Sequence, residues 1–86
     1  MSEVISKVTK NAREVVFLSL SEYKGHRLID LRVHVPGDQE GEWVPTRKGV
    51  SLAVGLYPEF KQALAQLEAA LVQQGLLDAE DLESPE

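Results

Sequence analysis

Two nine-residue stretches that alternate apolar and polar side chains, separated only by Lys24-Gly25-His26, commit this chain to an antiparallel β-hairpin. From Val15 to Tyr23, the residues Val16, Leu18 and Leu20 fall on one side, and Phe17, Ser19, Ser21 and Tyr23 on the other. From Arg27 to Val35, the residues Ile29, Leu31, Val33 and Val35 share a side, with Leu28, Asp30, Arg32 and His34 opposite. Gly25 takes a positive φ at little steric cost, so the turn belongs there. The hairpin therefore has one aliphatic face and one face of rings, hydroxyls and charges.

Downstream, Pro36-Gly37-Asp38-Gln39-Glu40-Gly41 is a dense run of turn formers leading into a short strand, Glu42-Trp43-Val44. Pro45 restricts that strand to an edge or an end, because proline donates nothing to a ladder. Arg47-Lys48-Gly49 reads as a basic turn, after which Val50, Leu52 and Val54 alternate as a fourth strand. The expectation is an α+β fold, a four-stranded antiparallel meander followed by one C-terminal helix. Pro58 suits the first helical turn, Phe60, Leu64, Leu67 and Leu71 follow at spacings of four, three and four, and Gly75 suits the stop. That leucine seam suits the core face of one domain and a partner helix equally. Residues 1–10 show no period and are expected to form a flexible N-terminal arm, residues 11–75 the folded domain, and residues 76–86 an acidic flexible tail.

A chain of 86 residues has room for one domain and buries only roughly 60 to 65% of its unfolded surface, so a dimer is expected from size alone. No apolar run approaches the ~18 residues of a membrane helix. Cysteine is absent, which excludes disulfides and thiolate metal sites, and the opening Met1-Ser2-Glu3-Val4 lacks the order of a signal peptide. A cytoplasmic protein is expected, nucleoid-associated if bacterial. The net charge of -5 divides unevenly: residues 1–52 carry a balance of +1 and residues 53–86 a balance of -6. A basic surface on the first part is thus compatible with an acidic whole.

The residues needed for catalysis do not assemble into any known spacing. His26 and His34 lack the carboxylates of a metal site, no serine sits in a nucleophile elbow, and the glycines form no phosphate loop. Neither an enzyme nor a cofactor is expected, and Asp30 is read as an internal partner of Arg32 or of a backbone amide. The polar hairpin face instead combines Phe17, Tyr23, Arg32 and His34 with Lys24, His26 and Arg27 at the turn and Arg47 and Lys48 beyond it. Bases stack on rings while lysine and arginine follow phosphates, which is what an unpaired nucleic-acid strand requires. Many small sheets share such a face.

Order and spacing sharpen the reading. Lys10-Asn11-Ala12-Arg13-Glu14, Ser19-Leu20-Ser21-Glu22-Tyr23-Lys24-Gly25, Leu28-Ile29-Asp30-Leu31-Arg32 and Gly41-Glu42-Trp43-Val44-Pro45-Thr46-Arg47-Lys48-Gly49-Val50-Ser51-Leu52 follow one another in the chain. Over about residues 10 to 72 it resembles the positive-cofactor-four family of transcriptional coactivators in its short bacterial form. The resemblance implies a curved sheet, two copies joined through helices at Phe60, Leu64, Leu67 and Leu71, and paired channels for single-stranded DNA. It places Tyr23 against a base and Lys24, Arg32, Arg47 and Lys48 on the backbone. The polar hairpin face and its turn add His26, Arg27 and His34 as candidates, and Arg13 and Trp43 are weaker correspondences to the family. Trp43 has an equal reading as a packing residue under its loop, and Phe17 is read as a support of the sheet.

The chain departs from the family pattern at three places. His34-Val35 stands where an aromatic pair is usual, Val44 where a lysine is, and His26 where lysine is frequent. Each change removes a ring or a cation from the expected channel. The leading function is sequence-nonspecific binding of single-stranded DNA or melted duplex in support of transcription, with the transcription machinery as a further partner. A protein-interaction module on the same scaffold and a single-stranded RNA binder are the alternatives.

Overall fold

In a computed structural model that describes residues 2–82, the elements run β1 (Ser2–Asn11), β2 (Glu14–Tyr23), β3 (His26–Pro36), β4 (Trp43–Ala53) and α1 (Tyr57–Gln73). The four strands form one antiparallel sheet in chain order, β1-β2-β3-β4, with β1 and β4 as its edge strands. The expected architecture, an antiparallel meander followed by a single helix, is therefore present. Residues 2–55 and residues 56–82 form separate compact units.

The hairpin follows its alternation closely. Leu18 pairs with Leu31 and Leu20 with Ile29 on the aliphatic face, while Phe17 pairs with Arg32 and Ser19 with Asp30 on the other. Lys24 and Gly25 have φ of 51° and 81°. Two consecutive positive φ angles make the two-residue turn whose twist matches that of the flanking strands. Phe17, on the polar face, is the only hydrophobic residue among the described ones that is buried, at 7% exposure.

Two expectations need correction. Ser2–Asn11 is a strand along its whole length rather than an arm, paired with β2 from Ser21 to Glu14. Its register shifts at Ile5 and again at Lys10, and each extra residue reverses the in-out alternation, which erases the period that identifies a strand in sequence. The stretches around Trp43-Val44 and Val50-Leu52 are likewise the two halves of one strand, β4. Arg47-Lys48-Gly49 is no turn: Thr46, Arg47 and Lys48 bulge where β3 offers only Val33. Pro45 lies next to this bulge on an edge strand, where its missing N–H costs least.

In the helical unit, Val54–Leu56 forms a 3₁₀ turn and Pro58 occupies the first turn of α1. Gly75 stops the helix with φ 74°, its N–H donating to Val72 O at 3.0 Å while Leu76 N–H donates to Leu71 O at 2.9 Å. This is the paired-bond ending that favours glycine. Of the residues expected to form the tail, Ala79–Leu82 makes a 3₁₀ turn, and residues 83–86 lie outside the described residues.

Candidate nucleic-acid interface

Strand alternation brings Lys7, Phe17, Arg32 and Gly49 into one row across all four strands, with Ser19, Asp30 and Ser51 in the next. Phe17 and His34, on neighbouring strands, stack at 3.7 Å between ring centroids and 9° between planes. Lys7 Nζ lies over the Phe17 ring, 5.0 Å from its centroid, a distance suited to cation–π attraction. His34 Nδ1 is 3.2 Å from Arg32 O, and a hydrogen on Nδ1 donates to that carbonyl. The expected role of Phe17 as a support of the sheet agrees with its burial.

Arg32 is held by several groups at once. Its Nε and Nη2 donate to the two Asp30 carboxylate oxygens at 3.3 and 2.8 Å, and Nη1 donates to Arg47 O at 3.1 Å and more weakly to Thr46 O at 3.5 Å. Ser51 Oγ donates to Asp30 Oδ1 at 2.7 Å. The Arg32 guanidinium holds the Asp30 carboxyl below its ordinary range, against a smaller opposing effect of burial, and Asp30 in turn raises Arg32. Asp30 is thus the internal partner that its mid-sheet position suggested. Thr46 Oγ1 donates to Val33 O at 2.8 Å and accepts from Lys48 N–H at 3.1 Å, closing the bulge from inside.

At one end of the same face, Tyr23 is 63% exposed, with Lys24 Nζ 5.3 Å from its ring centroid and His26 paired opposite. At the far end, Trp43 pairs with Pro36 and keeps 36% of its surface exposed, so it is not sealed beneath the loop. Arg47 is exposed on the bulge. Two expected cations lie elsewhere. Arg27 alternates onto the aliphatic side, where it lines a shallow recess with Glu3, Leu20 and Glu22. Lys48 Nζ reaches to 3.8 Å from Glu14 Oε2.

Glu14 accepts from Lys10 Nζ at 2.9 Å and from Asn11 Nδ2 at 2.8 Å, and these hydrogen bonds hold its carboxyl below the ordinary range. Arg13 sits in the β1–β2 turn, where its N–H donates to Asn11 Oδ1 at 3.0 Å. Lys7 and Lys10 were missed as candidates because β1 carries no period, and Glu14, at the start of β2, because its partners Lys10 and Lys48 are brought to it only by the sheet. A lysine spaced for pairing opposite Phe17 becomes visible only once the register is known.

Comparison with known proteins agrees with this geometry. The sequence model of the family described as Transcriptional Coactivator p15 (PC4) matches residues 10–63, more than half of the chain. A PC4 homolog from Burkholderia pseudomallei K96243 in its tetragonal crystal form is 32% identical, with a TM-score of 0.70, over 79% of this chain and 98% of its own. Its orthorhombic form gives 33% identity and a TM-score of 0.71, over 78% and 89%. A bacteriophage T5 homolog of the eukaryotic transcription coactivator PC4, implicated in recombination-dependent DNA replication, is similar in fold. Its identity is 24% and its TM-score 0.60, over 99% of this chain and 97% of its own.

Proposed function

Because this chain belongs to the transcriptional coactivator p15 (PC4) family, we propose that it binds single-stranded DNA with little base preference, as a non-enzymatic, coactivator-like homodimer. The observation that carries this reading is the exposed Tyr23 ring beside Lys24, on the same sheet face as the Phe17–His34 stack and Lys7. Stacking on a ring is worth ~1 to 3 kcal/mol per base and takes any base, while phosphate contacts supply the rest. Tyr23 and Trp43 take the stacking roles, and Lys7, Lys24, His26 and Arg47 the backbone.

The homodimer has its own support. The helical seam leaves Leu64 48% and Leu67 55% exposed in the single chain, more than a finished core leaves to water. A second copy packed along Phe60, Leu64, Leu67 and Leu71 covers this surface. The compartment that fits the reading is the cytoplasm, or the nucleoid of a bacterium.

The test is a fluorescence-anisotropy titration of a labelled ~20-nucleotide single strand at two salt concentrations, with the full chain and with Tyr23→Ala and Arg47→Ala. Affinity is expected to fall with salt at a log-log slope of about -0.7 per phosphate neutralised. Tyr23→Ala should lose ~1 to 3 kcal/mol, and Arg47→Ala should flatten the slope by one contact. A salt-independent or absent interaction overturns the reading.

A second reading, a protein-interaction module, has one observation in its favour. Of the cations of the expected channel, Arg32 is engaged by Asp30 at 2.8 Å and the exposed Lys48 has Glu14 at 3.8 Å. It predicts partners that survive nuclease treatment together with no oligonucleotide binding. Matched RNA oligonucleotides in the same titration distinguish DNA from RNA, because an open stacking surface need not read the 2′-hydroxyl.

A further inference from the structure

We propose that Arg32 acts on the nucleic acid indirectly, as a positioning residue: with Asp30 and Ser51 it pins the β4 bulge that presents Arg47. The inference rests on the nucleic-acid reading above and assigns a role within that same face. It begins from the backbone. Where Thr46, Arg47 and Lys48 oppose Val33 alone, their carbonyl groups lose ladder partners. Unmade hydrogen bonds of this kind are costly wherever water is partly excluded. Arg32 Nη1 meets two of those carbonyls, Arg47 O at 3.1 Å and Thr46 O at 3.5 Å.

The other side of the guanidinium is equally committed. Nε and Nη2 engage both oxygens of Asp30, and Nη2 also approaches Ser51 Oγ at 3.4 Å. The Arg32 side chain is only 20% exposed, and its charge is matched by a carboxylate at 2.8 Å. A phosphate approaching this pair meets a compact dipole rather than a cation. Gly49 makes the arrangement sterically possible, since a Cβ there would stand 3.1 Å from Arg32 Cζ and overlap Leu31 O. The planar fork of arginine is what allows one side chain to hold a carboxylate on one edge and carbonyls on another.

This assignment reverses the sign of a simple charge argument. Asp30→Asn removes an anion from a phosphate-binding face, so direct electrostatics predicts tighter binding. Loss of the pin predicts weaker binding. Arg32→Lys keeps the charge and loses the fork, so a direct phosphate contact would largely survive and a pin would not.

The experiment titrates a labelled ~20-nucleotide single-stranded DNA at two salt concentrations with the full chain and with Asp30→Asn, Arg32→Lys and Ser51→Ala. Amide hydrogen exchange is followed in the same proteins without DNA. We expect Asp30→Asn and Arg32→Lys each to weaken binding about five- to tenfold, the scale of one ordinary hydrogen bond. Exchange at Thr46, Arg47 and Lys48 should accelerate while that at Ile29 and Leu31 does not. Tighter or unchanged binding by Asp30→Asn, rescue by Arg32→Lys, or unchanged exchange at the bulge overturns the proposal. Should Asp30→Asn fail to fold, Ser51→Ala, which leaves the Asp30–Arg32 pair intact, decides by the same two measurements with a smaller loss. Should the unmodified protein bind no DNA, the functional reading falls, and the exchange measurement still judges the pin.

Discussion

Lys24 holds a φ of 51° in a turn where its neighbour Gly25 holds 81°. Left-handed backbone crowds a Cβ, and asparagine tolerates it better than lysine does. Lys24→Asn is therefore expected to raise the unfolding free energy by about 0.5 kcal/mol while weakening DNA binding, read by urea denaturation and by anisotropy. A variant that is no more stable would refute the backbone strain at residue 24, and one that binds undiminished would remove Lys24 from the binding face. Asp30 gives a second prediction at this scale. The Arg32 hydrogen bond lowers its folded pKa below the ordinary 3.8. A carboxyl with a depressed folded pKa contributes stability that is complete above its unfolded pKa and is lost as pH falls through the folded one. Unfolding free energy should thus be flat above about pH 5 and decline below about pH 4, and less steeply in Asp30→Asn. Identical acid limbs in urea titrations would show that the pair contributes nothing to folding.

Among the elements, β4 depends most on a single position. Gly49 pairs with Arg32 at the point where the strand enters its bulge, and any side chain there meets the Leu31 carbonyl across the ladder. Gly49→Ala should cost more than about 2 kcal/mol, and a crystal structure should show β4 displaced from β3 around residues 46 to 49. Stability within experimental error of the unmodified protein would refute this account of the bulge. The hairpin β2–β3 was legible because its period is local and unbroken from Val15 to His34. The same signal failed in β1, where two extra residues reverse the alternation within ten positions. In β4 it misled, because Pro45 and Arg47-Lys48-Gly49 carry turn chemistry inside a continuous strand.

For the whole molecule, the exposed leucines of α1 predict association. Sedimentation velocity of the full chain should give a dimer, and Leu67→Asp a monomer of lower thermal stability, because a charge is costly in a covered apolar seam. A monomeric unmodified protein would remove the dimer and leave the seam unexplained. Charge also acts at this scale. The net -5 conceals a sheet unit that is nearly balanced and holds eight of the nine basic residues. The candidate interface is therefore set by distribution and not by the total.

Local rules by themselves determined the hairpin, its two unlike faces and the helix from Pro58 to its stop at Gly75, while the family came from the resemblance of ordered motifs along the chain. Periodicity, turn residues and caps act over a few positions, so they can be read in a single sequence. Tertiary structure decided that the first ten residues pair as an edge strand and that β4 is one strand. It also decided that Arg32 faces Asp30 and the backbone carbonyls of the bulge, and that Glu14 holds Lys10 and draws in Lys48. Those outcomes depend on register, which brings Arg32 to Arg47 across 15 positions and Asp30 to Ser51 across 21. A hydrogen bond between residues that distant is chosen by the geometry of the assembled sheet, where each orphaned group accepts the nearest partner that can satisfy it.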